Sequence, residues 1–181
     1  MIKNLNQRIG VFVDVSNMYH SARHLYNSRV NFGAILHEAV GGRQLIRAIA
    51  YVISADIEQE KDFFKALELS GFEVKQKDLQ IFAGGAKKGD WDVGITVDAI
   101  TLAQRLDVVV LVSGDGDYVP LVEYLRRNTG CKVEIVAFGK SSSKKLIEAA
   151  DEYLDLDKYP RKFLIKYTPE VRINPPTHNS Y

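Results

Sequence analysis

Short apolar runs rich in Val and Ile alternate along the chain with longer stretches that carry apolar residues at helical spacing. The apolar runs predict strands at residues 9–13, 45–53, 72–75, 107–112 and 132–137. The stretches between them predict helices at residues 17–26, 32–40, 58–69, 90–105 and 141–149, and another that ends at residue 128. Strand and helix therefore alternate through most of the sequence.

The most apolar of these runs indicates how the elements pack. Residues 108–112 are all Val or Leu, as expected for a strand that is covered on both faces. Regular alternation of strand and helix is typical of a parallel sheet with right-handed crossovers. We therefore predict an α/β fold, a three-layer α/β/α sandwich with a mainly parallel central sheet and this strand at its centre.

The domain organisation follows from where the alternation stops. From residue 159 the pattern gives way to Lys, Arg, Pro and aromatic residues. We predict one domain over residues 1–158, followed by a basic and aromatic arm with a loose tail over residues 159–181. Rings interleaved with positive charges suit single-stranded RNA, and they equally suit a partner subunit in a homodimer.

Composition and charge narrow the class of protein. Hydrophobic residues make up 46% and charged residues 26% of the 181 residues, which is typical of a globular domain. The 24 Lys and Arg nearly balance the 23 Asp and Glu, so binding of nucleic acid requires locally segregated charge. Cys131 is the only cysteine, which excludes an intrachain disulfide and a cysteine-based zinc site. Because the first residues also lack the apolar core of a signal peptide, we expect a cytoplasmic protein without a membrane anchor.

Aspartates collect at positions that directly follow the predicted strands. Asp14 follows the first strand, with Ser16 close behind it, and Asp115 and Asp117 follow the central strand. Asp92 lies in the first turn of a predicted helix. Aspartates commonly cap helices or complement the helix dipole, and such a role explains any one of these residues.

A capping role does not explain why four such aspartates converge. Side chains that follow parallel strands meet at one edge of the sheet. Two carboxylates 4 Å apart repel by roughly 4 kcal/mol at an effective dielectric constant near 20, and helix caps do not need this repulsion. A divalent cation with oxygen ligands relieves it, so we predict a Mg²⁺ or Mn²⁺ site.

A further aspartate lies on the same predicted helix as Asp92. Asp98 is six residues further along, which places it about 120° around the helix axis. The two carboxylates therefore do not share one face of the helix. Asp98 either reaches the rim of the site or bonds a neighbouring backbone or basic group.

Three motifs occur in order on these predicted elements. They are Val-Phe-Val-Asp-Val-Ser-Asn-Met-Tyr at 11–19, Lys-Gly-Asp-Trp-Asp-Val at 88–93 with Asp98-Ala99, and Leu-Val-Ser-Gly-Asp-Gly-Asp-Tyr-Val-Pro-Leu at 111–121. Together they resemble the NYN domain, in particular its LabA-like branch, within the PIN-like nuclease superfamily. The resemblance covers residues 8–150 and implies a PIN-like, Rossmann-like topology. Tyr118 stands where the family more often has Phe, a change that we expect to leave the packing intact.

The resemblance implies a metal-dependent endoribonuclease that hydrolyses RNA phosphodiester bonds with Mg²⁺ or Mn²⁺. Carried onto this chain, the catalytic and metal-ligand positions are Asp14, Asp92, Asp115 and Asp117. We assign substrate contacts to three further motif residues, Asn17, Lys88 and Ser113. Lys88 either neutralises a phosphate or is simply solvated. Asp98 and Ser16 are additional candidates for the site.

A different class of function remains open beside the ribonuclease. A regulatory module that holds RNA or a protein without cleaving it would keep the same fold and acidic site, and members of the LabA-like branch are often associated with regulation. Other phosphate-binding folds match less well. The first strand is followed neither by a Walker sequence nor by a Gly-x-Gly-x-x-Gly motif.

Overall fold

The computed structural model of the protein describes residues 3–54, 57–81 and 87–166. These residues form ten strands, β1 (Arg8–Asp14), β2 (Ser28–Val30), β3 (Gln44–Ser54), β4 (Glu73–Asp78), β5 (Gln80–Ile81), β6 (Lys87–Lys88), β7 (Val108–Val112), β8 (Lys132–Ala137), β9 (Glu152–Asp155) and β10 (Leu164–Lys166). They also form seven α-helices, α1 (Val15–Tyr26), α2 (Phe32–Val40), α3 (Ile57–Leu69), α4 (Asp92–Ala103), α5 (Val119–Asn128), α6 (Lys144–Ala149) and α7 (Pro160–Phe163). No helix in the described ranges is both long enough and apolar enough to cross a membrane.

Six strands form one sheet in the order β4-β3-β1-β7-β8-β9, and each neighbouring pair is parallel. Helices cover both faces, which confirms the predicted α/β fold with a mainly parallel central sheet. The chain builds outward from β1 through β3 and β4, and then returns to add β7, β8 and β9 on the other side. The strand order therefore reverses between β1 and β7, and ligands of open α/β sheets bind at the carboxyl ends of such a pair.

The two faces of the sheet have separate hydrophobic cores. Val11 and Val13 of β1 face α1, α2 and α3, whereas Phe12 between them faces α4, α5 and α6. All three side chains are fully buried. Side chains alternate between the two faces of a strand, so a strand covered on both faces must be apolar where it is covered, as β7 and residues 9–13 of β1 are.

The edges of the sheet differ from the sequence prediction. The strand predicted at 72–75 is β4, which is longer and ends in polar residues, and β9 was not predicted at all. Both β4 and β9 are edge strands, which are covered less completely than central strands, and β9 has only four residues. For these reasons neither β4 nor β9 has a continuous apolar run like that of β7. The pairing of β4 with β3 also sets Lys75 and Lys77 on one face of the sheet.

The predicted arm begins as part of the domain. Phe163 of α7 is 1% exposed within the core on the α1 side, and β10 pairs with β2 in antiparallel orientation. Strands of three residues leave no periodic pattern in the sequence, which is why neither was predicted. The remainder of the predicted arm and tail, residues 167–181, lies outside the described residues.

Candidate metal centre

The carboxyl end of β1 contributes Asp14. Its Oδ1 accepts a hydrogen bond from the backbone amide of Asn17 at 3.0 Å, so Asp14 caps α1 as well as ending the strand. Its Oδ2 lies 3.5 Å from the Ser113 hydroxyl and 3.4 Å from the Tyr118 hydroxyl. Both oxygens of this carboxylate therefore have polar partners inside the protein.

The loop after β7 contributes Asp115 and Asp117. Asp115 caps a short 3₁₀ turn over Gly116–Tyr118, and its Oδ1 accepts from the backbone amide of Asp117 at 3.0 Å. The amide of Asp115 in turn donates to the hydroxyl of Ser113 at 3.2 Å. These local bonds direct two carboxylates to the end of the sheet.

Gly114 in this loop allows a neighbouring segment to pack directly against the loop. A Cβ atom at Gly114 would lie 2.5 Å from Ser142 Oγ and 3.0 Å from Ser142 Cα. The carbonyl of Gly114 accepts a hydrogen bond from the amide of Ser143 at 2.9 Å. A side chain at this position would separate the two segments, so the glycine is needed for close approach rather than for an unusual backbone conformation.

Asp92 is brought to the same edge by the residue before it. The indole Nε1 of Trp91 donates to the carbonyl oxygen of Val52 on β3 at 2.9 Å, and its ring meets Tyr51 edge-on, with centroids 5.3 Å apart. A Cβ at Gly94 would lie 2.5 Å from Trp91 Cε3, so the missing side chain allows the ring to fold against the helix. Trp91 thus fixes the start of α4 on the sheet, and Asp92 is the first residue of that helix.

Asp92, Asp115 and Asp117 form an acidic triad, in which one carboxylate oxygen of each residue lies within 4.8 Å of the other two. Asp92 and Asp115 are half-buried and Asp117 is exposed. No Lys or Arg in the described parts of the chain forms an ion pair with any of the three. Oxygen donors of this kind, open to solvent on one side, fit a hard divalent cation such as Mg²⁺ or Mn²⁺.

Asp14, the fourth predicted ligand, lies next to the triad but is not part of it. Its Oδ1 accepts a hydrogen bond from the amide of Asn17, and its Oδ2 lies beside the hydroxyls of Ser113 and Tyr118. The carboxylate is close enough to the triad for their charges to interact. Burial raises the pKa of Asp14, and the negative charges of Asp92 and Asp115 raise it further, whereas the hydrogen bond from Asn17 lowers it. The structure therefore brings together three of the four predicted ligands and places the fourth behind them.

The electrostatics of Asp92 reflect the same crowding. Burial raises the pKa of Asp92, and the charges of Asp115, Asp90 and Asp117 add to that effect. The hydroxyl of Tyr118 donates to Asp92 Oδ1 at 3.0 Å and opposes the rise. Without a cation, the folded protein thus keeps carboxylates together at a cost in electrostatic energy.

Asp98 belongs to a different network. Its Oδ2 accepts from Lys75 Nζ at 2.6 Å and from the Tyr51 hydroxyl at 2.7 Å. Burial raises the pKa of Asp98, but the hydrogen bonds from Lys75 and Tyr51 outweigh it and lower the pKa overall. Of the two alternatives from the sequence, the structure favours the bond to a neighbouring basic group over a place at the rim of the site.

The residues predicted to touch substrate are mostly turned inward. Ser113 is fully buried, and Asn17 Oδ1 accepts from the backbone amide of Gly114 at 3.0 Å. Ser16 is the half-buried second residue of α1. Lys88 lies in β6, where only the backbone is described, so its contact with phosphate stays a prediction.

A lysine near the triad was not singled out from the sequence. Lys77 of β4 is exposed, and its Nζ donates to the carbonyl oxygen of Asp90 at 3.2 Å and lies 5.7 Å from the centre of the Trp91 ring. Within the described ranges it has no carboxylate partner, unlike Lys75. Its contact with the segment directly before Asp92 depends on the pairing of β3 with β4, which no local sequence pattern indicates.

Comparisons with known proteins show the family and the fold of the chain. The family model of the NYN domain matches residues 8–157. The chain is 26% identical over 170 residues to the low amplitude and bright protein LabA of Synechococcus elongatus, with 88% of each chain covered. It also resembles the crystal structure of VPA0982, a protein of unknown function from Vibrio parahaemolyticus, with a TM-score of 0.81, 35% identity and coverage of 91% of this chain and 100% of that one. The matched residues include Asp14 and the whole acidic triad, and the chain belongs to the NYN domain family.

Proposed function

We propose that this protein is a metal-dependent endoribonuclease that hydrolyses RNA phosphodiester bonds. The observation that carries the proposal is the acidic triad at the point where the strand order reverses, with a carboxylate oxygen of each member within 4.8 Å of the others. Membership of the NYN family supports a nuclease, because the family belongs to the PIN-like nuclease superfamily. Holding together carboxylates that have no ion-pair partner in the described parts of the chain has an energetic cost, and a bound cation removes that cost.

Asp92, Asp115 and Asp117 would hold a Mg²⁺ or Mn²⁺ ion. Such an ion, when bound, lowers the pKa of a coordinated water and neutralises charge on the phosphoryl oxygen. The exposed carboxylate of Asp117 leaves one side of the triad open to solvent and to a phosphate. Ser113 is fully buried and its hydroxyl accepts a hydrogen bond from the Asp115 amide, so it is not available as a nucleophile, and we assign that role to water.

Lys77 supplies the positive charge that an RNA backbone needs beside the triad. It is held over Trp91, directly before Asp92, by its hydrogen bond to the Asp90 carbonyl. Because Lys77 is exposed and has no acidic partner among the described residues, it can bind a phosphate without first breaking an ion pair there. We include Lys88 in the same role, as its motif predicts.

The single cysteine of the chain favours a reducing compartment. Cys131 is buried, and its thiol contacts the carbonyl oxygens of Ala103 and Leu106 at 3.1 Å each. A thiol in this setting behaves as a small core residue. We therefore include a cytoplasmic location in the proposal.

The proposal is tested with a circular, labelled, single-stranded RNA, because only an endonuclease can open a substrate without ends. We expect Mn²⁺ to support linearisation and chelation to abolish it. Failure of the Mn²⁺-loaded protein to cut a range of circular RNAs that it binds would contradict the enzyme and favour the regulatory, RNA-binding or protein-binding module instead.

A further inference from the structure

Tyr118 separates Asp14 from the acidic triad. Its side chain is 1% exposed, and its hydroxyl lies 3.0 Å from Asp92 Oδ1 and 3.4 Å from Asp14 Oδ2. A phenol hydroxyl has one proton, and the shorter distance assigns the donated hydrogen bond to Asp92. A neutral oxygen atom therefore occupies the space between two carboxylates.

That space is where a second cation would bind. In sites with two metal ions, the ions lie about 3.5–4 Å apart, and carboxylates commonly bridge them. The Tyr118 hydroxyl donates to Asp92 Oδ1, and its oxygen lies between that atom and Asp14 Oδ2, so it occupies the position that such an ion would need. Its ring belongs to the core between the sheet and helices α4 and α5, where close packing prevents it from swinging aside.

The contacts of the Asp14 carboxylate oppose its reorientation towards the triad. Its Oδ1 is fixed by the amide of Asn17 at 3.0 Å, and its Oδ2 faces the Ser113 hydroxyl as well as Tyr118. Turning the carboxylate towards Asp92 would remove the cap of α1 and so destabilise that helix. The buried Tyr118 hydroxyl and the capping of α1 thus both keep the Asp14 carboxylate away from the triad.

Building on the proposed function, we propose that Tyr118 limits the site to one divalent cation, bound by the triad, and keeps Asp14 out of its coordination. Tyr118 is in this sense a positioning residue, because it contacts the carboxylates and not the substrate. Without the hydroxyl, Asp14 and Asp92 face each other across a small gap lined by carboxylate oxygens. A second cation in that gap relieves their repulsion.

The test counts the Mn²⁺ ions bound by the full chain, from the electron paramagnetic resonance signal of the ion that stays free. We expect one bound ion for the wild type and two for Tyr118→Phe, which removes only the hydroxyl. The double variant Tyr118→Phe with Asp14→Asn should return to one ion. Asn at position 14 is a good helix cap, so α1 is retained, and circular dichroism verifies the fold of each variant.

Two ions on the wild type, or one ion on a folded Tyr118→Phe, would overturn the inference. Should Tyr118→Phe not fold, Asp14→Asn alone decides the question. A dissociation constant for Mn²⁺ within about threefold of the wild-type value supports the inference, and a loss of binding shows that Asp14 is a ligand. A wild-type protein that binds no Mn²⁺ would instead contradict the metal centre and the proposed function, so the two failures are distinguishable.

Discussion

The side-chain carbonyl of Asn17 accepts a hydrogen bond from the backbone amide of Gly114 at 3.0 Å. Asn17 lies in the first turn of α1, and Gly114 lies in the loop that carries Asp115, so the bond joins the two strand ends between which the strand order reverses. The backbone amide of Asn17 also donates a hydrogen bond to the side chain of Asp14. One asparagine thus connects the helix cap to the loop that presents two members of the triad.

We expect Asn17→Ala to weaken Mn²⁺ binding as well as the fold. The substitution leaves the partly buried amide of Gly114 without a partner, which costs about 1–3 kcal/mol, and it loosens the loop that carries Asp115. Urea unfolding and Mn²⁺ titration measure the two effects. Asn128→Ala is the matched control, because that asparagine bonds only the carbonyl of Tyr124 on the exposed face of its own helix. Unchanged Mn²⁺ affinity in Asn17→Ala would show that the bond does not position the loop.

Asp115→Asn should abolish RNA cleavage while RNA binding is retained. The amide keeps an oxygen that can cap the 3₁₀ turn, but it removes one negative charge from the triad, and we expect a loss of activity on the order of 100-fold or more. The control is Asp98→Asn on α4, which removes a carboxylate paired with Lys75. Cleavage by Asp115→Asn at the wild-type rate would contradict the assignment of the acidic triad as the catalytic metal centre.

The metal-free protein should gain stability when Asp92 loses its charge. Burial, with the charges of neighbouring carboxylates, raises the pKa of Asp92 in the folded state. A group with a raised folded pKa contributes stability at low pH that is lost as the pH rises through that pKa. Metal-free Asp92→Asn should therefore be more stable than the wild type near pH 7, and the difference should shrink below about pH 3, where aspartate is largely protonated in both states.

Urea unfolding at the two pH values, on protein stripped of divalent ions, measures this difference. Added Mn²⁺ should reverse the order near pH 7, because the ion stabilises only the protein that retains the triad. A wild type that is more stable than Asp92→Asn at neutral pH without metal would show that the triad is not under electrostatic strain.

Lys77→Ala should raise KM for RNA with little change in kcat. The exposed ammonium group beside Trp91 is assigned to a phosphate, and loss of one phosphate contact should reduce the slope of log affinity against log salt by about 0.7 for a single strand. Lys132→Ala is the matched control, because this exposed lysine begins β8 at the opposite end of the sheet. Equal effects of the two substitutions would mean that only overall charge matters.

The fold was predictable from the sequence because its signal is local. Continuous apolar runs such as β7 and the helical spacing between them determine the α/β class, and positions after strand ends bring Asp115 and Asp117 to one edge. Helical spacing separates Asp92 from Asp98, and the position of Asp92 nearer the start of the helix ranks it first. The ion pair with Lys75 accounts for Asp98. These inferences need only short-range patterns and a known property of parallel sheets.

Side-chain direction near the site was not predictable in the same way. Ser113 lies two residues before Asp115 and Asn17 three residues after Asp14, yet both side chains point inward and bond the loop that they support. Tyr118 was expected only to leave the packing intact, and no sequence pattern indicated that its hydroxyl lies close to two carboxylates. Such contacts depend on which strands pair and how loops close over them, and these are long-range features.

A crystal of the wild-type protein grown with Mn²⁺ tests the metal centre most directly, through the anomalous scattering of the ion. We expect a single strong anomalous peak, with carboxylate oxygens of Asp92, Asp115 and Asp117 as its protein ligands and Asp14 still bonded to Asn17. A peak that is absent from the triad while Mn²⁺ is bound elsewhere, or a triad neutralised by a lysine or arginine instead, would contradict it.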